Sequence, residues 1–301
     1  RMVPDRDDFH VEIVIAARRR RLTAAAARHV GAKGPPMDLL QLVVLAVVQG
    51  VTEFLPISSS GHLILVPLLT PWPDQGLMID VAVHVGSLGA VVVYLAGDLR
   101  AMLAGSLRRE GGLMGQPGRR LVVLVAVATI PVVVVGALVS GMLDGLRRLD
   151  VIGWTMLGFG VVLWLADQRC RADRPLTALG LPGALAIGCA QVLALVPGTS
   201  RAGVTMTAAR MLGLERTAAA RFSMLLSIPT IAAAGLLLGL ELIALGELAL
   251  TRDALVGGAL AFVSALVAIV AMMRWLRRAS FTPFVVYRVV LGLVLLVLAY
   301  G

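Results

Sequence analysis

Apolar residues along this chain fall into six long unbroken runs and two further regions that are interrupted near their middles. The unbroken runs cover about 77–97, 121–143, 151–166, 217–240, 254–273 and 284–300, each near the roughly 20 residues a helix needs to cross a bilayer. They predict six spanning helices. The interrupted regions, 39–69 and 176–214, carry Pro, Gly, Ser and charged residues at their centres and do not read as simple spans. Pro56 and Pro197 lack an amide donor and disfavour helix in the preceding residue, so each is expected to end one half-helix and admit a turn. After each proline a new helix is expected to start, capped by Ser58 or Ser59 in the first region and by Thr199 or Ser200 in the second.

The two interrupted regions resemble each other. "AVVQGVTEFLPISSSGH" and "GCAQVLALVPGTSRAG" share a Gln (Gln49, Gln191), an apolar stretch, a Pro, a run of hydroxyl residues and a Gly (Gly61, Gly203). Three predicted spans follow each copy, and an odd number of crossings places the copies in opposite orientations. The fold class expected is therefore an all-α integral membrane protein: an inverted repeat, about 37–166 and 176–301, with six spanning helices and two re-entrant helix pairs.

Charge bears on orientation. With the first interrupted region entering from outside, the inside loops 98–120, 167–175 and 274–282 carry five, three and three arginines, and the outside loops 142–150 and 241–253 carry two and one. That asymmetry agrees with the excess of basic residues in cytoplasmic loops. Residues 1–36 hold eight of the 27 basic residues and lack the apolar core of a signal peptide. They are expected to be a basic extension, disordered or upstream of a unit beginning at Met37, with 37–301 forming one membrane-embedded domain.

Composition narrows the classes. Hydrophobic residues make up 58% of the chain and charged residues 15%, which fits a membrane protein and no soluble core of this size. The net charge of +9 comes from arginines without aromatic interleaving, so nucleic acid is not an expected partner; membrane lipid is. Cys170 and Cys189 provide neither a disulfide framework nor a metal-ligand spacing.

The chemistry sits in the interruptions. Helix N-termini there present free amides that favour an anion. Arg201 is costly to bury without a partner, and its fork of donors suits phosphate oxygens; an ion pair with Glu53 is the alternative. Gln49 and Glu53, four apart, share a helical face, as do Ser59 and His62, three apart. A carboxylate, a hydroxyl and an imidazole opposite an arginine are the parts of phosphoryl hydrolysis; transport or a structural polar cluster remain alternatives. Asp80, His84 and Ser87 share one face of the 77–97 span, where His84 can line a cavity. Arg221 and Arg288 are expected to snorkel to the interface, and Arg210 and Glu215 to be solvated.

"QGVTEFLPISSSGHLIL" resembles the [EQ]-x-x-x-E and P-x-S-S-x-G-H signature of the bacterial undecaprenyl-diphosphate phosphatases, the bacitracin-resistance membrane proteins. "PGTSRAGVTMTAARMLGL" resembles their P-G-x-S-R-[SA]-G signature, and "FTPFVVYRVVLG" their closing F-x-P-F-x-x-Y-R pattern. The resemblance implies hydrolysis of undecaprenyl diphosphate to undecaprenyl phosphate and inorganic phosphate in the bacterial plasma membrane, recycling the lipid carrier of cell-wall peptidoglycan synthesis; on the orientation read from the loop charges, the site is expected to face the outer side. It implies a divalent cation, Mg2+ or Ca2+, near Glu53 and Gln49. His62, Ser59, Glu53 and Arg201 fall at positions implied to be catalytic, and Ser58, Ser60, Gly198, Thr199, Ser200 and Arg201 in the substrate-binding motifs. A homodimer is carried as a candidate assembly. Gln49 stands where the commonest pattern has Glu, and a neutral amide is a weaker ligand for a hard cation, so the metal is expected to bind largely as a complex with diphosphate. The rival functions are a transporter or flippase of a prenyl-phosphate lipid, since inverted repeats with broken helices are a transporter signature, and an intramembrane serine protease using Ser59 and His62.

Overall fold

The computed structural model describes residues 37–107, 112–139, 143–170, 173–244 and 251–301; the expectations for residues 1–36 lie outside them. Among the described residues the chain is helical and contains no β-strand. The helices are α1 (Leu39–Phe54), α2 (Ser59–Leu69), α3 (Gly76–Tyr94), α4 (Ala96–Leu107), α5 (Pro117–Val139), α6 (Leu149–Arg169), α7 (Leu181–Val192), α8 (Arg201–Met211), α9 (Arg216–Ala244), α10 (Arg252–Leu276) and α11 (Thr282–Tyr300), with a one-turn helix at Gly112–Gly115. Six of these, α3, α5, α6, α9, α10 and α11, are long and apolar enough to cross a membrane, so the protein is a multi-pass membrane protein. They coincide with the six predicted runs. The helix α4 was not predicted; its residues were read as part of a charged loop.

Each interrupted region is a pair of short helices, α1 with α2 and α7 with α8, broken at Pro56 and Pro197 as their missing amides require. The pairs are set into the spans in matching ways. α1 packs against α10 and α7 against α5; α3 packs against α10 and α9 against α5; α3 meets α9 and α6 meets α11. Exchanging the two halves of the chain maps each of these contacts onto another or onto itself.

Small residues let the spans approach closely, as in membrane helix packing generally. A Cβ on Gly86 of α3 would collide with the carbonyl of Gly258 on α10. Gly86→Ala is therefore expected to destabilise the protein by about 1–3 kcal/mol through overpacking. Scanning fluorimetry in detergent should show a lower unfolding midpoint than for Gly235→Ala, whose added Cβ meets nothing within 4 Å.

Two expectations for arginines are overturned. Arg210 is buried, with its Nε 3.1 Å from Asp167 Oδ1, and Asp167 also holds Arg216 at 2.8 Å and accepts from the Phe281 amide at 3.1 Å. An arginine at the exit of an interrupted helix is thus neutralised inside the protein rather than solvated. Arg288 does not snorkel: it is the largest fully buried side chain, at 0% exposure. Arg221 does reach the surface, where it pairs with Asp98 of α4.

Candidate active site

The two proline breaks are built alike. Ser58 caps α2 by accepting from the Gly61 amide at 3.4 Å, and Ser200 caps α8 by accepting from the Gly203 amide at 3.0 Å. Both have positive φ, 75° and 73°, and they are the only non-glycine residues that do so among those described. A serine held there costs about 1–3 kcal/mol and persists only where its surroundings over-determine it, a pattern concentrated at functional sites. The breaks also touch. A Cβ on Gly61 would lie 3.6 Å from Cα of Gly198, and Gly198, at φ 85°, packs against Ile152 and Thr155 of α6 so tightly that no side chain fits.

Glu53, at the end of α1 and buried, is the centre of the site. Gln49 Nε2, one turn earlier, donates to its Oε2 at 3.0 Å, and Ser59 Oγ donates to the same oxygen at 2.6 Å. Arg201, the first residue of α8, reaches across with Nη2 3.4 Å from both Oε1 and the backbone carbonyl of Glu53, and its Nη1 donates to Ser223 O at 3.1 Å. The ion pair weighed as the alternative for Arg201 is therefore formed, and it joins the two broken pairs.

His84 Nε2 lies 4.0 Å from Glu53 Oε2. Its Nδ1 is 2.7 Å from the Asp80 carbonyl; a carbonyl only accepts, so Nδ1 carries a proton and Nε2 is the ring atom that faces the carboxylate. Ser87 is buried and donates to the His84 carbonyl, while Asp80 accepts from Gln75 Nε2.

His62 sits elsewhere. Its Nδ1 donates to the Ser58 carbonyl at 2.6 Å, and Nε2 is 2.5 Å from the hydroxyl of Tyr287, on which the ring stacks at 5.6 Å and 11°. With the proton on Nδ1, Nε2 accepts from Tyr287. The helical spacing that put Ser59 and His62 on one face did not make them partners: Ser59 bonds Glu53 and His62 bonds Tyr287. Sequence reading missed Tyr287, although the F-x-P-F-x-x-Y-R pattern contained it.

The remaining predicted residues line the breaks. Ser60 is exposed, with Oγ 3.4 Å from Ser58 Oγ. The carbonyls of Gly198 and Thr199 are taken by Arg288, and Thr199 Oγ1 is buried without a protein partner.

Gln49 Oε1 is likewise buried without a protein partner, in a residue of 0% exposure. Among the described residues no group of three or more His, Cys, Asp or Glu side chains could hold a metal ion. A hard cation takes six or more oxygens, of which the chain offers the Glu53 carboxylate and the orphaned Gln49 oxygen. These donors fit a cation that completes its shell with ligand oxygens and water, and do not fit one caged by protein alone.

Fold and site together define a multi-pass membrane protein whose buried polar centre is assembled from two broken helices. Residues 42–294 match the family described as Bacitracin resistance protein BacA, and the chain belongs to that family. It is 53% identical over 267 residues to the undecaprenyl-diphosphatase of Ruegeria pomeroyi and 52% identical over 267 residues to that of Roseobacter denitrificans, covering 88% of this chain and 100% of each relative. It is 52% identical over 272 residues to undecaprenyl-diphosphatase 1 of Rhodospirillum rubrum, covering 88% of this chain and 96% of that relative.

Proposed function

We propose that this protein hydrolyses undecaprenyl diphosphate to undecaprenyl phosphate and inorganic phosphate at the Glu53 centre, in the plasma membrane and from its outer side. The observation that carries the reading is the junction of Glu53, Ser59 and Arg201 between two strained serine caps. It supplies a hydroxyl bonded to a carboxylate, beside a guanidinium and two sets of free helix amides. Arg201 and those amides offset charge on the terminal phosphoryl group, the contribution that usually dominates such catalysis. Family membership favours hydrolysis over the transport reading, and a protease would have no use for Arg201.

Ser59 Oγ attacks the terminal phosphorus as its proton passes to Glu53 Oε2, and the bond from that phosphorus to the bridging oxygen breaks, releasing undecaprenyl phosphate. Water then attacks the phosphoserine, the serine oxygen departs with the proton that Glu53 held, and both water protons leave with inorganic phosphate. The base in this reading is Glu53 rather than His62, because the 2.6 Å contact of the Ser59 hydroxyl belongs to Glu53. His62 holds the Ser58 carbonyl and so the cap beside the attacking group. A divalent cation, Mg2+ or Ca2+, held by Glu53 and Gln49 Oε1 would supply further charge neutralisation on the diphosphate.

The inverted repeat is part of this reading. It is supported by the exchange of packing partners between halves, the three spans after each broken pair, and the paired caps at Ser58 and Ser200. Re-entrant pairs meeting inside the bilayer keep irregular backbone buried in protein, where it is tolerated. The prenyl chain has a path beside the second break, in an apolar cleft of about 350 Å³ lined by Trp154, Thr155, Gly158, Phe159 and Val162.

The test is phosphate release from undecaprenyl diphosphate in detergent, where no compartment exists for a carrier to act between. Purified protein is expected to release phosphate, to stop on chelation and to resume with Mg2+ or Ca2+. A folded protein that binds the lipid diphosphate but releases no phosphate would favour the carrier.

A further inference from the structure

Arg288 lies two turns into α11, fully buried, and all its partners are backbone carbonyls. Nε donates to Met156 O at 3.1 Å and Nη1 to Pro56 O at 3.1 Å; Nη2 donates to Thr155 O at 3.2 Å, Gly198 O at 3.1 Å and Thr199 O at 3.0 Å. Pro56 belongs to the first break, Gly198 and Thr199 to the second, and Thr155 and Met156 to α6 behind them. One side chain thus holds both breaks to each other and to the span that backs them.

The surroundings are shaped for this group. A Cβ on Gly160 would lie 3.2 Å from Cβ of Arg288, and one on Gly203 would lie 2.9 Å from Nη1. A planar fork is also the only side chain that can serve so many carbonyls, since an ammonium has three donors and no fixed directions.

None of these partners is a carboxylate. Glu53 is paired with Arg201, so the cluster at the breaks keeps one positive charge in excess, fixed between two helix N-termini and held by carbonyl dipoles without being neutralised. Carbonyl dipoles do not cancel a full charge, and its field acts on an anion at the breaks.

We propose that Arg288 is the positioning residue of this site: it locks the two serine-capped turns in register, and its uncompensated charge favours the diphosphate. The turnover part of this rests on the phosphatase reading; the locking part does not. Arg288→Lys keeps the charge and loses the fork, whereas Arg288→Gln loses both.

Two measurements on full-length protein in detergent separate these roles. In hydrogen–deuterium exchange, Arg288→Lys is expected to speed uptake about tenfold in the segments 56–62 and 198–204 together, while the spans away from them keep wild-type rates. In phosphate release, Arg288→Lys is expected to lower kcat about 100-fold with KM within about threefold, because misplacement by an ångström is costly, and Arg288→Gln also to raise KM about tenfold. Should the glutamine variant fail to fold, the lysine variant decides alone. Unchanged uptake in either segment, or uptake rising evenly along all helices as in a general loss of structure, overturns the proposal, as does a lysine variant with kcat within threefold of wild type. A wild type that releases no phosphate overturns the phosphatase reading instead, and the exchange result still decides whether Arg288 locks the breaks.

Discussion

Alanine at Ser59 is expected to lower phosphate release by about 10³-fold or more while leaving the protein folded, the size of effect seen when an activated nucleophile is removed. Its Oγ makes one hydrogen bond, to Glu53, whose loss costs stability about 1 kcal/mol. Ser58→Ala is the informative contrast. Ser58 makes the cap at Gly61 and carries the positive φ, so its loss should act mainly on stability and on the shape of the turn, by about 1 kcal/mol for a cap. The covalent step has its own signature. Acid-quenching the wild type during turnover and mapping the peptide that contains Ser59 should recover a phosphoryl group on that serine. Absence of the phosphopeptide, together with an alanine variant within tenfold of wild type, would assign the attack to water and leave Ser59 to other work.

Much of this arrangement was legible in the sequence, and the boundary of legibility has physical reasons. The six spans follow from apolar length alone, because in hydrocarbon a helix is the only open structure that satisfies its own backbone. The breaks followed from Pro56 and Pro197, whose missing amides act locally. The residues Gln49, Glu53 and Ser59 could be grouped because they lie within eleven residues on the two sides of a single break. What local spacing could not give was the partner of each group. Ser59 and His62 share a helical face, yet Ser59 turns to Glu53 while His62 turns to Tyr287, 225 residues away. Arg288 was misread for a related reason. A lone arginine near the end of an apolar run ordinarily reaches for the interface, and nothing local reveals that five carbonyls from three distant segments converge on it. The clue was outside the helix: glycines at 160 and 203 leave the space that the Arg288 side chain fills.

The paired architecture also explains why the two halves differ where they do. Ser59 follows the first cap and Arg201 follows the second, so the position after each cap carries the residue that meets Glu53. One half contributes the hydroxyl and the acid, and the other contributes the counter-charge. In the proposed reaction these two contributions have different places: the hydroxyl attacks in line with the leaving oxygen, and the guanidinium meets charge on the equatorial oxygens.

Removing Glu53 should therefore cost more than removing Arg201, in stability as well as rate. Glu53→Ala leaves the Arg201 guanidinium, only 13% exposed, without its carboxylate, and breaking a buried pair from one side typically costs about 3–5 kcal/mol. Arg201→Ala leaves Glu53 still accepting from Gln49 and Ser59, so the remaining charge keeps two donors and the loss should be about 1–2 kcal/mol. Both single variants are expected to lose about 10³-fold or more in phosphate release, the first through the base and the second through charge stabilisation. In the double variant neither charge is stranded, so its unfolding midpoint should lie above that of Glu53→Ala, and its rate should fall little below the slower single variant because the two residues act as one unit. Unfolding in detergent and phosphate release on the four proteins complete the cycle. Stability losses that simply add would mean that the 3.4 Å contact carries no coupling, and the two broken helix pairs would then be held together by Arg288 and packing alone.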